Sequence, residues 1–339
     1  MTFTRRHVVA GALAAPALVG LGRAAYAART LKISHQFPGG TIEQGDFRDR
    51  MCRVFARDVT KATGGSLSFE VYPNSSLMKT NAQFSAMRKG ALDLSLYPMP
   101  YAGGEVPELN IGLMPCLVSS YEQAAMWKNA PVGRRLQKIA EEKGIVLLSW
   151  VWQAGGVATR DKPLVGPDDA RGQKVRGGSR EMDLMMQKAG AAVLSIPSNE
   201  SYAALQTGAA DAIITSSTSL ISFRLEELSK HLTTGRGKSY WFMCEPLMMS
   251  KIIFDQLSKD EKDAVMAVGA SLETFGYEAA KEDDKKVAEV FGKAGAKLHD
   301  LDEATIGKWR DIARDTAWKD YAAKNAGSAE LLKLAEAVS

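Results

Sequence analysis

From Leu31 onward the chain alternates short apolar runs with longer amphipathic ones. LKIS at 31–34 reads as a strand, residues 46–63 as a helix, and LSFEVYP at 67–73 as a second strand. After another helical stretch, LDLSLY at 92–97 reads as a third. Strands alternating with helices predict a parallel or mixed sheet with helices on its faces, so the fold class is α/β.

One pattern occurs twice. Residues 71–96 contain VYPNSS and then SAMRKGALDLSL, and residues 195–214 contain SIPSNE and then YAALQTGAADAII. Both run strand, proline turn, helix, glycine, aspartate, strand. Gly90 and Gly208 fall where a helix end needs a residue able to turn left-handed, and Asp93 and Asp211 follow three positions later. The repetition predicts two similar α/β lobes. Beyond it, Ser258-Lys259-Asp260-Glu261 is a capping box, followed by apolar Val265, Val268, Leu272, Phe275 and Ala279. A helix from there to about Gly292 would be roughly 50 Å long, enough to brace both lobes.

The first 27 residues break the pattern. Arg5 and Arg6, a mild apolar run from Val8 to Gly22, and small residues at Ala25 and Ala27 read as a twin-arginine-like export signal, cleaved after Ala27. The run is too short and too rich in Ala and Gly for a stable membrane span. Removing the signal changes the charge picture, because it carries three basic residues and no acidic ones. The remaining 40 basic and 39 acidic residues nearly cancel, which argues against nucleic acid or an anionic membrane as partner.

Candidate chemistry is sparse. His7, His35, His231 and His299 are dispersed, with no HExxH spacing, and Cys52, Cys116 and Cys244 form neither a disulfide framework nor a metal knuckle. No metal or cofactor is expected. No GxSxG elbow or dinucleotide glycine fingerprint is present. TTGRGKSY at 233–240 ends like a phosphate loop, but Leu232 stands where that motif needs its first glycine. The failure of these motifs argues against an enzyme and for a receptor holding its ligand between two lobes. GQKVRGGS at 172–179 then places Arg176 directly after an apolar strand, at the edge where α/β folds bind ligands.

These residues resemble a known family. RGQKVRGGS at 171–179, followed by SIPSNESYAALQTGAADAIITS, is similar to the substrate-binding subunits of tripartite ATP-independent periplasmic (TRAP) transporters, the DctP-type family. TGGSLSFEVYPNSSL, GALDLSLY, PELNIGLMPCLVSSYEQA and MMSKIIFDQLSKDEKDAV extend the resemblance over the whole mature chain. Cys116 stands where that family usually has an aromatic residue.

The resemblance implies a two-lobe periplasmic binding fold of type II-like architecture with a long bridging helix. Residues 28–154 with 241–280 would form domain I, and 155–240 with 281–339 domain II. It also implies a receptor, not an enzyme, that delivers a small organic acid to a sodium-coupled TRAP permease. A receptor for another transporter or a sensor kinase, or an exported enzyme, are the alternatives. Arg176 matches the family's carboxylate clamp, a planar donor fork that fits both carboxylate oxygens.

Thr215 stands where the family often has asparagine, Ser198 where it has an aromatic, and Val157 where many members carry a second arginine. These departures favour a monocarboxylate unless Arg160 or another cation takes a second charge. Gln36, Tyr97, Trp152 and Gln153, taken as the end of the strand IVLLSWVWQ, and Tyr240 with Trp241 complete the expected ligand-binding set.

Overall fold

The computed structural model describes residues 28–338, so the expected export signal lies outside the described residues. The chain forms strands β1 (Arg29–Ser34), β2 (Leu67–Tyr72), β3 (Leu94–Leu96) and β4 (Ile145–Leu147). Next come β5 (Trp152–Thr159), β6 (Lys174–Arg176), β7 (Ala192–Val193) and β8 (Ala212–Ser216). The last four are β9 (His231–Thr234), β10 (Phe242–Cys244), β11 (Leu247–Ser250) and β12 (Lys297–Asp300).

They build two sheets and hence two lobes. The first has the order β2-β1-β3-β11-β4; the second has β12-β9-β5-β8-β6-β7, with β10 added on β5. The chain changes sheet between Leu147 and Trp152, and again between Cys244 and Leu247. IVLLSWVWQ is therefore not one strand. It ends β4 at Leu147, crosses over, and starts β5 at Trp152. In the crossover, the Ser149 hydroxyl accepts the Leu247 N–H that a continuing strand would have paired.

Helices cover both sheets, and their ends follow local chemistry. Asp46 caps the Phe47–Ala62 helix by accepting from the Arg48 N–H, and the helix buries Met51, Cys52, Phe55 and Val59 at helical spacing. Complete burial of a side chain such as Phe55 contributes about 1.5–3 kcal/mol. Ser179 caps the Arg180–Lys188 helix by accepting from Met182 N–H. The Ser258/Glu261 capping box forms both of its reciprocal bonds.

The long helix is present as a broken path. Lys259–Ser271 and Glu273–Lys293 are separated by Leu272, which is buried. The first segment packs on the Phe47–Ala62 helix of the first lobe, the second on β5, β9 and β12 of the second. Gly269 permits the close crossing, since a Cβ there would sit 2.4 Å from the Leu148 carbonyl. The C-terminal helices divide between the lobes: Glu303–Ala313 packs on Arg180–Lys188, and Ala326–Glu336 on Pro131–Glu142. No helix among the described residues is long and apolar enough to cross a membrane.

Candidate ligand-binding cleft

The repeated unit places the site. In the first lobe Ile33 lies opposite Leu94 and Ser34 opposite Ser95; in the second, Val175 lies opposite Ala212 and Arg176 opposite Ile213. Arg176 is thus the last paired residue of β6, at the sheet edge.

It is buried, 1% exposed, and makes no ion pair within 4.0 Å among the described residues. Its Nε donates to the Ile196 carbonyl (3.0 Å), Nη1 to the Ile214 carbonyl (3.0 Å) and Nη2 to the Tyr101 hydroxyl (2.5 Å). Three neutral acceptors fix the orientation of the guanidinium without neutralising it. Of its five N–H bonds, one on each terminal nitrogen remains. A buried cation oriented by neutral groups and retaining donors is suited to an anion.

The acid nearest in character is Asp183, on the helix that follows. Burial pushes its carboxyl up to about 7, and the Arg176 charge pulls the other way. Asp183 Oδ1 has no hydrogen-bond partner among the described residues. Glu181, two residues earlier, accepts from Asn110 Nδ2 at 2.8 Å, and burial raises it to about 7 as well.

Tyr97 directly follows β3 in the opposing lobe. Its ring stacks on Phe84 (5.9 Å) and meets Tyr101 edge-on (6.0 Å), and burial holds its phenol well above the ordinary value. The Tyr97 hydroxyl and both amide atoms of Gln36 are buried without a protein partner among the described residues. Orphaned groups of this kind are expensive unless something polar meets them. Ser198 is buried, and its N–H donates to the Tyr101 hydroxyl at 3.1 Å. The Trp241 indole donates to the Gly177 carbonyl at 3.1 Å, beside Arg176, and Thr215 is buried on β8 next to Ile214. A hollow of about 310 Å³ opens alongside, lined by Asn81, Tyr101, Asn110, Ser179, Ser195 and Pro197.

The remaining expected residues make other packing contacts, and Trp152 Nε1 and the Tyr240 hydroxyl are likewise buried without a partner among the described residues. Trp152 packs edge-on against Trp127 (4.9 Å) and lines a separate hollow with Lys128, Trp150, Glu273 and Tyr277. Tyr240 packs on Trp309 (5.4 Å). Arg160 lines a third hollow with Asp161 and Lys230. Cys52, Cys116 and Cys244 are buried free thiols.

Gln153 belongs to a polar network that sequence reasoning missed. Its amide donates to Glu245, which also accepts from Arg48 Nη1 at 3.1 Å. Arg48 grips Asp46 through two bonds (2.9 and 2.7 Å), reaches Ser219 of the second lobe (3.0 Å), and stacks on Phe37 at 3.6 Å. All of it is buried; desolvation raises Glu245, and the Arg48 charge opposes that. Arg48, Glu245 and Tyr101 had no signal in the sequence beyond residue type, because the bonds Arg48–Glu245 and Tyr101–Arg176 join positions 197 and 75 apart.

Two sheets joined by crossing strands, with an oriented cation between them, define a two-lobe solute-binding protein. Residues 41–325 match the DctP model, described as bacterial extracellular solute-binding protein, family 7, and the chain belongs to this family. It is similar to a solute-binding protein of Albidiferax ferrireducens, 68% identical over 306 residues, 90% of each chain. It is also similar to the crystal structure of a TRAP periplasmic solute-binding protein from Rhodoferax ferrireducens with bound malonate, at 68% identity and TM-score 0.89, covering 90% of this chain and 97% of that one. The Bordetella pertussis extracytoplasmic solute receptor DctP7, which binds pyroglutamic acid, shares the fold at 22% identity and TM-score 0.81, with 91% and 99% coverage. The chain is a TRAP-type solute-binding receptor and not an enzyme.

Proposed function

We propose that the protein captures a compact organic acid with one carboxylate clamped by Arg176, and hands it to the membrane subunits of a sodium-coupled TRAP permease. The observation that carries the reading is the buried guanidinium held by three neutral acceptors. Opposite it stand neutral groups, Gln36 and Tyr97, whose polar atoms find no protein partner among the described residues. This favours a monocarboxylate bearing a hydroxyl or carbonyl at its other end. Thr215, Ser198 and Trp241 border the anchor and complete the ligand-binding set, while Gln153 joins the Arg48–Glu245 network. The relative's malonate supports a compact acid. Export by the residue 1–27 signal, with cleavage after Ala27, places the receptor in the periplasm.

The test is a thermal-shift panel of lactate, glycolate, malonate and neutral sugars on the mature protein. A ligand at 100 times its Kd adds about 2.7 kcal/mol of stability. Stabilisation by acids and not by sugars is expected. A larger shift from lactate than from malonate supports the monocarboxylate reading; the reverse assigns the second carboxylate a contact of its own. Arg176→Ala should lose about 2–5 kcal/mol of affinity, and Arg176→Lys should bind weakly for want of the planar fork. Unchanged binding by Arg176→Ala would sink the reading.

A further inference from the structure

Tyr101 lies in the single turn Met99–Ala102, which follows β3 in the first lobe. Pro98 and Pro100 restrict the turn, and the ring rests edge-on against Tyr97. Its hydroxyl crosses to the second lobe and accepts two bonds there, from Arg176 Nη2 at 2.5 Å and from the Ser198 N–H at 3.1 Å. The other two acceptors on Arg176, Ile196 and Ile214, belong to the second lobe itself. Among the described residues, Tyr101 is therefore the first lobe's only hydrogen-bond hold on the anchor.

We propose that Tyr101 is the latch of the closed cleft, a positioning residue that ties the first lobe to Arg176 and so sets how slowly a captured acid is released. The proposal rests on Arg176 being the carboxylate anchor. A bond to a charged donor is roughly twice as strong as a neutral one. It forms only when the lobes meet, so it acts on release more than on capture. With both phenol lone pairs engaged, the Tyr101 proton is left to donate, which suits a carboxylate neighbour and not a cationic one.

Tyr101→Phe keeps the ring against Tyr97 and removes the hydroxyl. Stopped-flow tryptophan fluorescence with malonate, and separately with lactate, should show release accelerated about tenfold and association within about twofold. In an Arg176→Lys background the same change should add little, because the coupled pair is already broken. An unchanged release rate overturns the latch. So does tighter binding, which would make the hydroxyl a competitor for the anchor. A full additional effect in the Arg176→Lys background also overturns it, since the ring's surroundings and not the anchor would then be responsible. Intact affinity in Arg176→Ala counts against the anchor itself; lost affinity there with wild-type release in Tyr101→Phe counts against the latch alone.

Discussion

The two lobes carry the same unit built to the same plan. In the first, the Asp93 carboxylate accepts the Lys32 N–H at 2.7 Å; in the second, Asp211 accepts the Lys174 N–H at 2.9 Å. Gly90 and Gly208 end the preceding helices at φ +71° and +74°. The carbonyls of the two aspartates accept from Ser250 and Arg160, the chain segments beside β3 and β8. Where the copies reach the sheet edge they differ in chemistry: Ser34 matches Arg176, and Tyr97 matches Thr215. A duplicated scaffold thus puts a buried cation at the end of β6 in one lobe and a buried phenol just past β3 in the other.

The largest effect that would sharpen this contrast separates two buried arginines. Arg48 faces Asp46 and Glu245, whereas Arg176 faces only neutral acceptors. Arg48→Ala strands two buried carboxylates and should cost about 3–5 kcal/mol of stability in urea unfolding. Arg176→Ala should cost far less stability and most of the ligand affinity. Equal stability losses would erase the distinction between a structural and a binding arginine.

The lobes should also respond oppositely to pH. In the first, His35, Arg53 and the Gly40 N–H hold the Asp49 carboxyl below its ordinary range despite burial. Its stabilisation is present above the unfolded pKa and is lost as pH falls through the folded one. In the second, Asp183 and Glu181 sit at about 7, above unfolded values near 4, so the folded state binds more protons across that window. Their contribution is fully present below about 4 and is lost as pH rises towards 7. Asp183→Asn should therefore flatten the decline in melting temperature between pH 5 and about 8, which calorimetry would read. An unchanged slope would mean that Asp183 is ionised throughout.

Smaller still are the repeat's own parts. Asp211→Ala and Asp93→Ala each release one strand N–H and should cost about 1–2 kcal/mol, with Asn restoring most of it. Only the Asp211 change should also weaken ligand binding, since Lys174 is two residues from the anchor. Loss of affinity in both would show that the first strand carries ligand contacts of comparable weight.

These parts were legible because they are local. Gly208 and Asp211 sit three positions apart, and the strand before Arg176 ends on a visible change from Val175 to charge. The sheet crossing at Leu148–Val151 was not legible, since nine largely apolar residues look alike whether they continue in one sheet or pass between two. The break at Leu272 was hidden for the same reason, an apolar residue at a helical position. Trp152 and Tyr240 were expected near the cleft from their strand-end positions. Their rings pack on Trp127 and Trp309, contacts that a strand-end position alone does not reveal.

The smallest predicted effect bears most directly on the comparison. Ser34 holds the register position of Arg176, is fully buried, and its hydroxyl has no partner among the described residues. A buried hydroxyl without a partner contributes desolvation cost and no bond, so Ser34→Ala should change stability by less than about 0.5 kcal/mol, in either direction. Ligand affinity should also stay within about twofold, because a hydroxyl this deep in the sheet edge supplies no charge to the carboxylate. A loss above about 1 kcal/mol in either measurement would show that Ser34 meets the ligand or a bound water. The first lobe would then contribute through its copy of the anchor position, and the asymmetry between the lobes would be one of charge and not of role.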